Sequence, residues 1–454
     1  ITDPAANPLT ASRTYQFGVL GAIMLADINP GGSATPSDLV DSNGTLFFRA
    51  TDGGGTYGWE LWKSDGTSSG TVMVKDINAG GGNGFPAFLT DVNGTLFFRA
   101  EDGVNSVELW KSDGTANGTV LVKDIRPGTG ANISQLTNVN GILFFSAQES
   151  NNNLELWRSD GTTAGTFMVK DINTGGSSSP QQLVNVNGTL FFRATDGGVA
   201  YGIELWKSDG TSTGTVIVKD INPGTGNGGP YNLTAVDGIC FFTANDGTNG
   251  KELWKSDGTS SGTVMIMDIN PGGGTSDPAY LFNYNGTLLF AANDGVNGNE
   301  PWKSDGTAVG TVMIKDIDAG GSSEPSRFTE FNEYAYFFAT CVTAGEPHRT
   351  DATEAGTILI KDIYEGGGGS NPDYFIGFNN AAAVYFAANG LLGVTDYGRE
   401  LWKTDGTEAG TVQAQDINPG SDSSSPSELI VSNGILFFRA DDGVNGSELW
   451  RLND

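Results

Sequence analysis

The stretch ELWKSDGT at Glu60–Thr67 returns unchanged at Glu108–Thr115, Glu204–Thr211 and Glu252–Thr259, with near copies elsewhere. Its tryptophan marks the register: Trp62, Trp110, Trp157, Trp206, Trp254, Trp302, Trp402 and Trp450. One gap in this series is double. EPHRTDAT at Glu346–Thr353 fills it, with His348 in the tryptophan place. Nine units result, 46 to 54 residues apart, the longest spacing reflecting an insertion before Trp402. A period of this length points to propellers or helical arrays, and the residues decide between them.

The unit around Trp110 holds four short runs of strand-forming residues: FLTDV, TLFFRA, ELWKS and TVLVKDI. Asn93–Gly94 joins the first two, and this pair suits a type I′ hairpin turn, which needs positive φ at both residues. EDGVNSV joins the second and third runs, and DGTANG the third and fourth. No helical period is present. Four strands joined by three hairpins, then a Gly/Pro-rich connector, describe one up-and-down sheet. The LFF core of the second strand places large side chains on both faces, as a blade sandwiched between neighbours requires and a half-solvated sheet does not. The reading is an all-β, closed β-propeller of four-stranded antiparallel blades, nine in number. The alternative, a parallel β-helix, has shorter coils and no antiparallel hairpins.

The termini support closure. The ninth unit stops after its third strand, and the missing fourth strand matches GAIMLADI at Gly21–Ile28. The N-terminal strand is expected to complete the last blade, removing the edges an open array would expose. Residues 1–20 then form an arm, and 21–454 a single propeller. Its blades fall at about 37–77, 87–125, 134–172, 180–221, 230–269, 278–317, 326–363, 373–417, and 427–454 with 21–28.

Three acidic places recur in every unit. A glutamate, from Glu60 to Glu448, opens the third strand; an aspartate, from Asp65 to Asp405 (Asn453 in the last copy), sits in the third turn; another, from Asp27 to Asp416, closes the fourth strand. A basic residue follows each tryptophan place and is expected to pair with an acid of its own or the next blade. A residue repeated nine times around a ring is scaffold more often than catalyst. Asp-Gly-Thr suits a turn because aspartate accepts from the backbone N–H groups ahead of it and glycine supplies positive φ.

With these repeats in hand, the chain resembles the ELWxxDGT repeat proteins over nearly its whole length, and SDGTxxGT is similar to the Asp-box of sialidase-type propellers. The first resemblance implies a secreted or surface-exposed bacterial protein, and the second implies a structural turn; neither implies a reaction.

The 454-residue chain carries a net charge of −29, with 24 basic residues against 53 acidic ones. Such a chain repels nucleic acid and anionic membrane. No apolar run of about 18 residues exists to span a bilayer. Cys240 and Cys341 do not make a disulfide framework, and Cys240 reads as a buried apolar thiol. The acidic, lysine-poor composition suits an extracellular or cell-surface setting, and a start without methionine or signal peptide is compatible with a processed, exported chain or with a fragment.

Calcium takes roughly six to eight oxygen ligands. The loops Thr51–Glu60, Asn245–Glu252 and Asp441–Glu448 offer Asp52 with Glu60, Asp246 with Glu252, and Asp442 with Glu448 as candidate calcium ligands, without the spacing of an EF-hand loop. A solvated hairpin is the alternative reading. The other candidate site lies where the ring breaks its rule, since local rule-breaking often marks function. Blade seven loses its tryptophan and gains His348 and Arg349, and its connector adds Tyr364 and Tyr374. Together with Arg327 these are the candidate ligand- or partner-binding residues. Drift in a tolerant repeat is the alternative.

The leading expectation is a non-enzymatic, extracellular binding or adhesion module for glycan or protein. The alternatives are a structural subunit of an extracellular assembly built from copies of itself or other subunits, and a polysaccharide-active enzyme. With one histidine and no G-x-S-x-G, H-E-x-x-H or phosphate loop, the chain shows no hydrolase motif.

Overall fold

The computed structural model describes residues 21–53, 56–341, 344–379, 382–393 and 395–452. The arm 1–20 and Asn453 lie outside them. The described residues form nine four-stranded antiparallel sheets arranged as a β-propeller, with no α-helix. Blade one shows the plan: Ser37–Ser42, Thr45–Thr51, Trp59–Ser64 and Val72–Lys75, hydrogen-bonded in chain order. The first strands of neighbouring blades pack on one another, and blade nine's packs on blade one's, so the ring is closed around its axis. The fourth strands form the outer rim.

The closing strand is Ala22–Ala26. It pairs antiparallel with Ser447–Leu452 of blade nine, with Met24 opposite Trp450. Glu448 fastens it, accepting from Ile28 N at 3.1 Å and Ala34 N at 3.0 Å.

That clasp is one of nine. Glu60, fully buried, accepts from Ile77 N at 3.0 Å and Gly84 N at 2.8 Å, and so pins the connector to the next blade. In five blades a connector serine adds a hydroxyl, as Ser178 does to Glu155. Unpaired buried amides are costly, so one carboxylate accepting two or three of them fixes a loop that has no other ladder. The third turn is equally repetitive. Asp65 accepts from Thr67 N at 2.8 Å and from its hydroxyl at 2.7 Å, and Ser64 Oγ bonds Thr71 Oγ1 at 2.8 Å.

In the blades of Lys63, Lys111 and Lys207 the basic residue after the tryptophan bonds a backbone carbonyl, where the sequence suggested an acid. Lys63 Nζ donates to the carbonyl of Gly114 in the next blade at 2.8 Å, and Lys111 and Lys207 repeat the contact. A backbone carbonyl is offered at the same place by every turn, whereas a nearby acid is already spent on its own amides.

The core lies between blades. Trp110 packs with Phe98 and Ala100 of blade two and with Phe47 and Leu61 of blade one. Fully burying one such large apolar side chain stabilises by about 1.5–3 kcal/mol, so each seam is welded by several. Cys240 is buried in one of these clusters. Asn43 and Gly44 both have positive φ, at 52° and 77°, as the hairpin turn needs.

Candidate functional site

The repeated clasp glutamates and turn aspartates are thus consumed by the scaffold, and function is sought where the scaffold holds shape constant while chemistry varies. One place does this in all nine blades. The second residue of each inner strand is left-handed, with φ between 54° and 61°, beside a bulge in the pairing to the second strand. The nine residues are Asp38, Phe88, Gln135, Gln182, Asn232, Tyr280, Arg327, Tyr374 and Glu428. None is glycine, and a positive φ costs most side chains energy, so the bulge is imposed by the blade rather than chosen residue by residue. A bulge re-aims a side chain; here it sets nine side chains of seven kinds at one place on each inner strand, at the end that carries the connectors.

Part of this circle stitches the seams. Gln135 Oε1 accepts from Gln182 N at 2.9 Å, and Gln182 Oε1 from Asn232 N at 3.1 Å. Blades six to eight differ. Tyr280 is 55% exposed, Arg327 follows, and Tyr374 is 40% exposed. Arg327 is aimed by three contacts: Nε to Asp373 Oδ1 at 3.0 Å, a donated bond to the carbonyl of Pro372 at 3.1 Å, and its guanidinium 5.2 Å above the Phe338 ring. A guanidinium thus stands between two exposed phenols on consecutive inner strands.

Of the five residues singled out in the irregular sector, Arg327 and Tyr374 belong to this arc. His348 does not. It is 2% exposed, pairs with Phe337 as tryptophan pairs with phenylalanine in the other blades, and its Nδ1 bonds the carbonyl of Glu346 at 3.0 Å. Burial pushes its pKa down to about 4. Arg349 takes the lysine place and lies 4.0 Å from the Tyr334 ring, in the scaffold. Tyr364 sits on the connector after blade seven, bridged to Leu391 of the blade-eight insertion, whose strands lengthen to Ala383–Leu392 and Thr395–Thr404. It lines a separate polar cleft with Asp396 and Ser423. Sequence reasoning missed Tyr280. The available signal was a single register position whose residue type changes from blade to blade.

The candidate calcium ligands are engaged within their own loops. Asp52 accepts from the amides of Thr56, Tyr57 and Gly58, all at 3.0 Å. Asp246 accepts from Thr248 N, Asn249 N and Asn249 Nδ2, and Asp442 from Val444 N, Asn445 N and Asn445 Nδ2. These bonds hold the carboxyls of Asp246 and Asp442 below the usual range, though burial opposes them. Glu60, Glu252 and Glu448 are the buried clasps, with pKa values raised by burial. Among the described residues, no three His, Cys, Asp or Glu gather as a metal-binding group.

No family model matches the sequence, and no curated protein is significantly similar to it. Solved structures are. A crystal structure of puromycin hydrolase is 12% identical, with a TM-score of 0.40, covering 79% of this chain and 59% of its own. A prolyl endopeptidase structure is 10% identical, with a TM-score of 0.43, covering 79% and 54%. The β-propeller domain of the Trilobed protease from Pyrococcus furiosus is 9% identical, with a TM-score of 0.39, covering 84% and 95%. The chain therefore spans little more than half the length of the first two. The expectation of a non-enzymatic glycan- or protein-binding adhesion module is corrected here: the solved structures that match are of a puromycin hydrolase, a prolyl endopeptidase and a protease's propeller domain. At such identities the likeness is one of fold and assigns no catalytic residue. Among the described residues no helix is long and apolar enough to cross a membrane.

Proposed function

We propose that this chain is a peptide-handling propeller, in which the arc Tyr280–Arg327–Tyr374 takes an extended peptide across the mouth of the ring. The supporting observation is the arc itself: three consecutive blades hold tyrosine, arginine and tyrosine at one backbone position with one conformation. Inner strands of neighbouring blades come within 8 Å, Cα to Cα. Side chains on one face of an extended chain recur about every 6.6 Å, so a peptide laid across the inner strands reaches more than one blade. Tyrosine gives a rigid apolar face with a polar tip, and arginine a planar fork for acceptors. The net charge of −29 disfavours nucleic acid. An extracellular setting belongs to the same reading and rests on the acidic, lysine-poor composition.

His348 is the chain's single histidine and is buried, so it is not placed to act as a general base on a bound peptide.

The test is fluorescence polarisation with a dye-labelled positional-scanning hexapeptide library. Selective binding is expected, weakened at least about tenfold by Tyr280→Ala and by Arg327→Ala, the loss of one buried aromatic or charge-assisted contact. Binding unchanged in the double variant removes the arc from the reading.

A further inference from the structure

Beside the arc, between blades five and six, lies a cavity of about 350 Å³ lined by Arg193, Tyr231, Lys251 and Asp277, among others. It shares Tyr231 and Asn232 with an adjoining hollow of about 450 Å³ that reaches Tyr280. The cavity therefore adjoins the hollow at Tyr280 through shared lining residues. Resting on the peptide-handling reading, we infer that the cavity is a carboxylate pocket that anchors the bound peptide through its C-terminus or an acidic side chain.

The chemistry is local to this seam. Lys251 occupies the place held by Trp59, Val107, Leu154 and Ile203 in the four preceding blades. Arg193 projects from blade four's second strand, with its guanidinium 5.6 Å from the Tyr231 ring and one nitrogen donating to Gln181 Oε1 at 2.6 Å. A guanidinium carries five donors in a planar fork. The bond to Gln181 and the neighbouring ring position the group, and its remaining donors suit a two-oxygen acceptor. Lys251 Nζ stands 3.0 Å from Asp277 Oδ1. The cavity therefore holds two cations against one anion, a local positive charge in a chain whose net charge is −29.

The floor is set before any ligand arrives. The carbonyl of Pro278 accepts from Asn232 Nδ2 at 3.1 Å and Thr243 Oγ1 at 2.6 Å, and Pro278 is buried. A fixed wall costs no ordering on binding. Tyr231 opens one inner strand and Tyr280 is the second residue of the next, so a peptide on Tyr280 lies one blade from the cavity.

The experiment compares the same hexapeptide library prepared as free acids and as C-terminal amides, on the full chain and on Arg193→Gln and Lys251→Gln. Two results support the pocket. Either free acids bind at least about tenfold tighter than amides, or amides retain binding only where Asp or Glu is present; in both cases Arg193→Gln abolishes the preference. Lys251→Gln, at an exposed position, checks the result if Arg193→Gln proves unstable, and is expected to reduce the preference about threefold. Equal binding of acidic and neutral amidated peptides and free acids overturns the pocket while leaving the peptide reading intact. Absence of all binding overturns both.

Discussion

Arg327 of blade seven grips Asp373 of blade eight, Nε to Oδ1 at 3.0 Å, and reaches the neighbouring Pro372 carbonyl at 3.1 Å. One side chain thus closes a seam and stands in the candidate site. The pair is partly exposed, and exposed pairs are worth about 0.2–1 kcal/mol. Arg327→Ala is expected to lower stability by no more than about 1 kcal/mol in thermal unfolding, while weakening peptide binding far more. Arg327→Lys recovers stability but not binding, because a point charge does not replace a planar fork.

The glutamate clasps give the ring a pH signature. Burial raises Glu60, Glu108, Glu204, Glu400 and Glu448 to about 7, opposed by their amide donors and assisted by a neighbouring aspartate. A carboxyl raised from 4.5 in the unfolded chain contributes stability that is full below 4.5 and is lost as pH rises through 7. The turn aspartates run the other way. Thr67 holds Asp65 below its ordinary value of 3.8, and that contribution is present above 3.8 and lost on further acidification. Stability is expected to peak in mildly acidic solution and to fall between pH 5 and pH 8. Melting curves across that range check this, and Glu60→Gln is expected to flatten the fall.

His348 supplies an internal control. Its pKa is about 4 against an ordinary 6.5, so its share of stability is present above 6.5 and lost as pH falls toward 4. His348→Trp restores the aromatic pairing of the other blades. Its unfolding midpoint is expected to lose this acid-side dependence, while binding at the arc stays as in the parent chain.

The clasp at the termini is the weak point of the ring. Removing residues 21–28 strips the partner from Ser447–Leu452, leaves Glu448 without its Ile28 contact, and loses the buried Leu25 and Ile28. At about 1.5–3 kcal/mol for each large apolar side chain, the truncated chain is expected to melt well below the parent. The bared edge is expected to drive self-association, visible by light scattering.

The blade plan and the closure were readable because each rests on residues whose chemistry dictates local shape. Asn-Gly makes the first turn, Asp-Gly-Thr the third, and the stranded GAIMLADI has one blade that lacks it. The site was less readable for a physical reason. The left-handed residue of the inner strand is imposed by the bulge, so no glycine announces it, and Tyr280 reads as one more residue of a strand. His348 and Arg349 drew notice by changing residue type. They fill the tryptophan and lysine places without changing the place itself, whereas Arg327 and Tyr374 sit where type is free to vary.

The peptide-handling claim is tested most directly by hydrogen–deuterium exchange, with and without the tightest hexapeptide from the library. The account predicts added protection in the inner strands Ala279–Tyr284, Ser326–Phe331 and Asp373–Phe378. Protection confined to the opposite face, at the turns of Asp65 and its equivalents, would contradict it.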